Sequence, residues 1–365
     1  MEAESSPAPL AMEVETSTPA PQQQPPLHRN PLAIVNIVMI GIGAVAGPLI
    51  LRSYFVHGGS RKWLSSFLQT SGWPLLLPHL IFRRRKDCCS PLFLLPPWLL
   101  AVSAALGVGI GLSDFLYAYG LADLPVSTSS ILISTQLVFT AFFALVVVRQ
   151  RFTSFSINAV VLLTVGAAML GMNGAGSDRP EGVSRAAYYV GFAMTIGSAA
   201  TYGLVLPLME LSQARLAVAG RSAGSYSLVL EMQVVIGIGA TAFCIIGMIV
   251  NKDFQAIPRE AQEFGLGQVG YYSLLVGAAI VFQFFFLGII GAIFYGSALL
   301  AGVIMTLLIS VTEVFAVIFF HEHFNGTKGV ALGLSLWGFV SYFYGEIQTN
   351  AKQSDIPPIT EHFAV

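Results

Sequence analysis

Charged residues are scarce in this chain. They make up 10% of its 365 residues, whereas a soluble protein usually carries about 25%. Hydrophobic residues make up 55%, and the mean hydropathy is +0.73. Because so few charges cannot cover a water-exposed surface, the composition predicts an all-α integral membrane protein whose solvent is the lipid bilayer. The net charge of −1 gives no indication of nucleic-acid binding.

Cysteine is also rare, and no metal-binding pattern is present. The three cysteines are Cys88, Cys89 and Cys244, and they offer neither a disulfide framework nor the spacing of a zinc site. The sequence HEHF (321–324) lacks the i, i+4 histidines of zinc peptidases, so we interpret it as a solvated loop. We therefore expect no metal and no cofactor, and the lack of a catalytic cluster argues against an enzyme.

Ten segments are long and apolar enough to be spanning helices, which need about 20 residues each. They are residues 32–52, 63–82, 97–121, 126–148, 155–172, 188–209, 225–250, 268–290, 294–320 and 328–347. Residues 1–31 are rich in Pro, Gln, Ser and Glu, which predicts a disordered tail. They also lack the pattern of a cleaved signal peptide.

These spans divide the chain into two halves. We assign residues 32–172 to a first five-helix repeat, 173–187 to a loop, 188–347 to a second five-helix repeat and 348–365 to a C-terminal tail. If the N-terminal tail is cytoplasmic, the connecting segments and tails on that side hold slightly more Lys and Arg than those on the other side, and RRRK at 83–86 contributes most. This distribution predicts that both tails are cytoplasmic.

An internal repeat supports this division. TAFFALVVVRQRFT (140–153) and TEVFAVIFFHEHFN (312–325) align without a gap and share four identical residues. The shift between them spans five helices, and an odd number of helices inverts the second copy in the membrane. Inverted repeats place a substrate site near the midplane, at their interface. The sequence thus predicts a polytopic protein with ten transmembrane helices in a five-plus-five inverted repeat.

Two glutamines lie deep inside apolar segments. Gln136 follows six hydroxyl residues in PVSTSSILISTQLVFT (125–140), and Gln283 lies beside Phe282 in AAIVFQFFFLG. An amide in lipid is costly unless it has a partner, so both should point into the bundle. The partner is either another helix or a substrate. A planar amide among aromatic rings suits a heteroaromatic ligand.

Further polar and aromatic candidates lie on the first two spans. Gln69 and Trp73 share a face of the second span, and Asn36 lies on the first. Gly43 and Gly47 are on the same side of the first span as Asn36, and small residues of this kind allow close helix packing.

Three acids lie within the predicted spans: Asp114, Glu231 and Glu313. An ionisable residue at membrane depth is costly and suggests a functional site. Each acid is a candidate for carrying a coupling proton. For Asp114, which precedes Tyr117 by one turn, the alternative is a capping role near a helix end.

Basic residues are missing from the interior of all ten spans. A pocket for a phosphate or a nucleotide sugar needs cationic side chains or helix N-termini directed at the anion. A neutral or cationic substrate is therefore expected, and phosphorylated sugars are disfavoured.

Several segments resemble the plant purine permeases of the drug/metabolite transporter superfamily. The resemblance covers nearly all of residues 30–348 in order. The matching segments include GPLILRSYF (47–55), RKWLSSFLQTSGWPLLLP (61–78), LYAYGLADLPVSTSSILISTQLVFTA (116–141), LEMQVV (230–235), VTEVFAVIFF (311–320) and WGFVSYFYGE (337–346). Two positions depart from the family pattern: Ser113, where the family commonly has an acid, and Ser310, where it often has a proline.

The resemblance implies proton-coupled import of adenine, cytokinins and related nitrogen heterocycles. Some members of the family have shifted to alkaloids or pyridine vitamins, which is the alternative within transport. A membrane-embedded scaffold or enzyme is the alternative outside transport. The plasma membrane is the default location, with the endoplasmic reticulum second.

Residue chemistry and resemblance together suggest a set of substrate-binding residues. Amides pair with the edge of adenine, and aromatic rings stack on base faces. We assign edge contacts to Gln136 and Gln283, stacking to Trp73, Tyr117 and Phe282, and either proton coupling or a base N–H contact to Glu231. Gln69 and Asn36 complete the set.

Overall fold

The computed structural model describes residues 31–86, 95–149, 153–177, 183–218, 226–320 and 326–354. Within these ranges every regular element is helical. Cys88, Cys89, the HEHF segment and most of both predicted tails lie outside the described residues.

Thirteen α-helices are present in the described ranges. They are α1 (Pro31–Val56), α2 (Lys62–Thr70), α3 (Leu77–Lys86), α4 (Pro97–Asp123), α5 (Val126–Ser134), α6 (Gln136–Phe143), α7 (Ser154–Ser177), α8 (Arg185–Val218), α9 (Tyr226–Val250), α10 (Asp253–Glu263), α11 (Gly267–Tyr295), α12 (Ala298–Phe320) and α13 (Gly326–Ser354). A 3₁₀ turn, Trp73–Leu76, precedes α3, and a π-helical turn, Ala144–Val148, follows α6.

Five helices, α1, α4, α8, α9 and α11, have the length and hydropathy of membrane spans. Shorter apolar stretches occupy Leu132–Val148, Ser154–Gly166, Ala298–Leu308 and Gly329–Tyr342. Apolar side chains of the long helices remain exposed on their outer faces, for example Val38 of α1, Ile246 of α9 and Val276 of α11. This is the surface expected of an integral membrane protein, because lipid replaces water as the solvent.

Two of the predicted spans are interrupted. The second, 63–82, consists of α2, the 3₁₀ turn and α3, because Gly72 and Pro74 stop the regular helix after Thr70. The fourth, 126–148, is divided at Thr135 between α5 and α6. Discontinuous helices are common around the binding sites of transporters.

Helix ends also differ from the predicted boundaries. The loop expected from residue 173 begins later, because α7 continues to Ser177, and α13 continues to Ser354 beyond the predicted end at 347. No proline occurs in either extension, and the next prolines are Pro180 and Pro357. In addition, α10 forms a helix in the connection between α9 and α11.

The helices pack in pairs around one core. α1 lies along α11, α4 lies between α8 and α9, and α7 lies along α13. The shorter α2 contacts α4, α9 and α11, and α6 contacts α8 and α12. Buried Leu, Ile, Val and Phe side chains from these helices form a continuous cluster.

The contact between α4 and α9 depends on glycine. A Cβ atom at Gly107 would lie 2.2 Å from the carbonyl oxygen of Ile236, and one at Gly239 would lie 2.5 Å from that of Ala104. Both obstacles are backbone atoms, so the two helices can approach this closely only without side chains at these positions.

Replacing Gly107 with Ala should therefore destabilise the protein by about 1–3 kcal/mol, the usual range for overpacking a core. Thermal unfolding of the purified protein in detergent measures the effect. Gly277→Ala is the matched control, because a Cβ atom there meets nothing within 4 Å. Equal melting temperatures for the two variants would contradict the packing argument.

Candidate functional site

A buried cavity lies where α1, α2, α4, α8, α11, α12 and the α5–α6 break meet. Its volume is about 80 Å³, several times the ~10–15 Å³ that one water molecule requires. The residues that line it are Gly43, Ala44, Pro48, Gln69, Ser113, Asp114, Tyr117, Ile133, Gln136, Ser198, Tyr202, Phe282, Phe285, Phe286 and Met305.

One wall of the cavity is polar and comes mainly from α4 and α8. The hydroxyls of Ser113 and Ser198 lie 2.9 Å apart, and Ser113 also donates to the Ser198 carbonyl at 3.1 Å. The hydroxyls of Tyr117 and Tyr202 are both within electrostatic range of the Asp114 carboxyl. This wall therefore concentrates hydrogen-bonding groups around one carboxyl.

Two polar atoms of this wall are buried but unpaired. Asp114 is only 6% exposed, and its Oδ2 atom has no hydrogen-bond partner among the described residues. The Tyr202 hydroxyl also has no hydrogen-bond partner in the described part of the chain. Because buried polar groups are nearly always hydrogen-bonded, these two atoms are available to bond a ligand or an ordered water.

Two glutamine amides reach the cavity beside helix breaks. Gln69 is the penultimate residue of α2, and its Nε2 makes only long contacts, 3.4 Å each, to the carbonyls of Ser65 and Asp114. Gln136 opens α6, and its Nε2 lies 3.9 Å from the sulfur of Met305. Neither amide is committed to a strong intramolecular hydrogen bond, so both can bind a ligand.

A second wall of the cavity is aromatic. Phe282, Phe285 and Phe286 of α11 line it. The ring centroids of Phe282 and Phe285 are 6.4 Å apart and those of Phe285 and Phe286 are 5.3 Å apart, both in edge-to-face arrangements. Tyr202 lies 6.3 Å from Phe286 and so connects the two walls. The cavity thus combines hydrogen-bonding groups with the faces and edges of aromatic rings.

Five of the predicted site residues line this cavity together: Gln136, Gln69, Tyr117, Phe282 and Asp114. They come from four different predicted spans. No Lys, Arg or His is found among the described residues that line it.

Four predicted residues lie elsewhere, two of them around the α2 break. Gln283 is buried, but it faces Gly72, where a Cβ atom would lie 2.5 Å from the Gln283 Cβ. Its Nε2 has no partner within the described part of the chain. Trp73 packs on α9, where a Cβ at Gly237 would lie 2.7 Å from the Trp73 Cβ. Both residues support the break and do not line the cavity.

The other two make contacts between helices. Asn36 donates to the Leu32 carbonyl at 2.7 Å and accepts from the Tyr226 hydroxyl at 2.9 Å. Glu231, fully buried, accepts from the backbone N–H of Leu95 at 3.2 Å. Their polar atoms therefore hold helix ends together. The side chain of the third predicted acid, Glu313, lies outside the described residues.

Sequence reasoning missed Tyr202, Ser198, Phe285, Phe286 and Met305 as lining residues. A signal existed for Tyr202, because a tyrosine hydroxyl within an apolar span needs a partner for the same reason as the Gln136 amide. Ser198 gave a weaker signal of the same kind as a hydroxyl within a span, whereas Phe285, Phe286 and Met305 gave none, since α11 and α12 lack a polar stripe.

Comparison with known proteins assigns the family. Residues 31–352 match the family model described as purine nucleobase transmembrane transport. The chain belongs to the purine permease family. It is 46% identical to purine permease 3 of Arabidopsis thaliana over 332 residues, covering 89% of this chain and 93% of that protein. Purine permease 2 of the same plant is 43% identical over 358 residues, covering 91% and 98%.

The family assignment confirms three predictions made from the sequence. The resemblance to the purine permeases is correct, and the protein is a transporter rather than an enzyme. It also confirms, at the level of the family, a small-molecule purine as the substrate. A solved crystal structure, 14% identical, matches this purine permease with a TM-score of 0.57 over 84% of this chain and 97% of the other. At this identity the match shows a shared fold alone.

Proposed function

We propose that this purine permease imports adenine, cytokinins and similar nitrogen heterocycles together with protons, by alternating access. The observation that carries the proposal is a cavity lined by Asp114, Tyr202 and three phenylalanines, in which Asp114 Oδ2 and the Tyr202 hydroxyl have no partner among the described residues. A planar base supplies both an edge that hydrogen-bonds and a face that stacks, so it matches both walls.

The amides and the carboxyl define how a base would bind. Gln69 and Gln136 each offer a donor and an acceptor, which suits the paired donor and acceptor on the edge of adenine. Asp114 accepts from a ring or exocyclic N–H, and Tyr202 donates to a ring nitrogen. With no basic lining residue among those described, an anionic substrate would lack a counter-charge, so nucleotides are disfavoured.

The packing of the helices supports a five-plus-five inverted repeat. If α1 corresponds to α8 and α4 to α11, then the α1–α11 contact and the α4–α8 contact are equivalent. If α2 likewise corresponds to α9, the α4–α9 and α2–α11 contacts form a second such pair. If α6 corresponds to α12, the α6–α8 and α1–α12 contacts form a third. The cavity lies where the two proposed halves meet, as expected for inverted repeats.

Contacts between the proposed halves occur at both ends of the bundle. At one end Arg61 forms ion pairs with Asp253 and Glu260. At the other end Asn36 bonds Tyr226, and Glu231 bonds the backbone of Leu95. Alternating access requires that the contacts at one end of the bundle break while those at the other end stay formed. We propose that these sets are the two closures.

Asp114 is the proposed proton carrier. A carboxylate charge at membrane depth is costly, and Asp114 is the acid that contacts the cavity directly. Glu231, an earlier candidate, is engaged with the Leu95 backbone. We further propose that both termini are cytoplasmic and that the protein resides in the plasma membrane.

The test is an uptake panel in cells or liposomes with an imposed proton gradient. Wild-type protein should take up labelled adenine, and Gln136→Leu should reduce kcat/KM about 10-fold, as expected for loss of a hydrogen bond to substrate. Gln233→Leu is the matched control, because Gln233 is equally buried but does not line the cavity. Stronger inhibition by nicotine-like or pyridoxine-like compounds than by adenine would favour the alkaloid or vitamin alternative, and an absence of solute flux would favour a scaffold.

A further inference from the structure

One contact fixes the position of a ring in the aromatic wall. The Phe282 ring lines the cavity and is 4% exposed. The tip of this ring rests on the backbone of α1 at Gly47. A Cβ atom at that position would lie 2.8 Å from Cζ and 3.0 and 3.3 Å from the two Cε atoms. The ring therefore occupies space that any side chain at position 47 would need.

The neighbouring contact one turn earlier prevents α1 and α11 from adjusting easily. A Cβ at Gly43 would lie 2.2 Å from the Cβ and 2.7 Å from the Cα of Phe285. Because this contact involves backbone, the two helices are held at close approach. A methyl group at Gly47 would consequently displace the Phe282 ring, the movable part, rather than the helix.

The displaced ring borders an open space. Phe285 contacts the ring at one edge, with centroids 6.4 Å apart, and the surrounding core is closely packed. The cavity, of about 80 Å³, is the empty volume that the ring already borders. Moving the ring into the cavity reduces the space that it leaves for a ligand.

We propose that Gly47 is a specificity-determining residue, because it positions the Phe282 ring and so sets the depth of the aromatic end of the cavity. The inference rests on the proposed binding of a base in this cavity. A base held by the polar wall must share the remaining volume of the cavity with any apolar substituent that it carries. Gly47 then decides how large an apolar substituent the transporter accepts, while an unsubstituted base is little affected.

The test compares uptake of adenine and of N6-benzyladenine at matched surface expression. In Gly47→Ala we expect kcat/KM for N6-benzyladenine to fall at least 10-fold, while that for adenine changes less than 3-fold. Phe282→Leu, which shortens the ring side chain, should shift the ratio toward N6-benzyladenine. The double variant Gly47→Ala/Phe282→Leu should recover most of the loss seen in Gly47→Ala.

Gly41→Ala is the control for a glycine-to-alanine change in the same helix. Its Cβ would meet only Leu308 Cδ2 at 3.8 Å, an ordinary contact, so the substrate ratio should equal that of wild type. Equal losses for both substrates in Gly47→Ala, or no recovery in the double variant, would overturn the inference. If Gly47→Ala does not reach the cell surface, the ratio of N6-benzyladenine to adenine uptake in Phe282→Leu becomes the test. A ratio equal to that of wild type would also overturn the inference.

Failure of the proposed function has a different signature. In that case wild-type protein would take up neither base, or Asp114 and Gln136 variants would transport both at wild-type rates. A selective change in Gly47→Ala alongside normal adenine uptake can arise only if the cavity is the binding site.

Discussion

Replacing Asp114 with Asn is expected to lower proton-driven adenine uptake about 10- to 100-fold, because a hydrogen bond to a charged group contributes about 1.5–3 kcal/mol and each 1.4 kcal/mol is tenfold. Asn has nearly the same shape as Asp but cannot carry a proton. Asp114 lines the cavity, and its Oδ2 atom is unpaired among the described residues. The substitution therefore alters both substrate binding and coupling without creating a void.

Two measurements separate these effects. Wild-type uptake should fall as external pH rises, since fewer protons are available, whereas residual uptake by Asp114→Asn should be independent of pH. Exchange of labelled for unlabelled adenine needs no net proton movement, so it should survive if only coupling is lost. Glu263→Gln, at an exposed position of α10, is the control. A wild-type rate with wild-type pH dependence in Asp114→Asn would remove Asp114 from both roles.

The parts of the fold that could be predicted from the sequence are those that the lipid solvent imposes. Lipid requires long apolar helices, so hydropathy located helical segments, and five of the described helices have the length and hydropathy of membrane spans. Polar groups at depth were predicted to face inward. Gln136, Gln69 and Asp114 do line the cavity, because an unpaired amide or carboxyl in hydrocarbon is costly whatever the details of packing.

Helix breaks were less predictable. Gly72 and Pro74 are local signals for the end of α2, but Thr135 is an ordinary residue that gives no such signal. The α5–α6 break instead depends on tertiary packing of α6 against α8 and α12. Since Gln136 begins α6, its approach to the cavity depends on this unpredicted break.

The direction of side chains on α11 was the hardest feature to predict. Phe282 and Gln283 are consecutive, and only the first lines the cavity, while the second faces Gly72 of the α2 break. Rotation of an amphipathic helix can be read from its polar stripe, but α11 is apolar all round. Only the neighbours of the helix, chiefly the glycines of α1, fix its rotation.

A network of charges joins the start of α2 to α10. Arg61 Nη1 lies 3.6 Å from Asp253 Oδ1, and its Nε lies 3.8 Å from Glu260 Oε2. Asp253 is fully buried and Glu260 is 9% exposed, whereas the Arg61 side chain is 36% exposed. The Tyr54 hydroxyl donates to Glu260. Burial raises the pKa of Asp253, and the hydrogen bond from Asn251 and the charge of Arg61 partly oppose this rise.

Removing the cation from this network should leave two acids without a counter-charge. We expect Arg61→Met to destabilise the protein by about 2 kcal/mol, less than the 3–5 kcal/mol of a fully buried pair because Arg61 is partly exposed. The melting temperature in detergent should fall by about 4–8 °C at pH 7.5.

The pH dependence of that loss identifies its cause. Without Arg61 the pKa of Asp253 rises further in the folded state, so the folded protein binds more protons than the unfolded chain, and its stability increases as pH falls. The gap in melting temperature between wild type and Arg61→Met should therefore narrow at pH 5. Asp253→Asn introduced into Arg61→Met should recover part of the loss at pH 7.5, because the amide removes one uncompensated charge. A gap that is the same at both pH values, with no recovery in the double variant, would mean that the packing of the Arg61 side chain, and not its charge, holds α2 to α10.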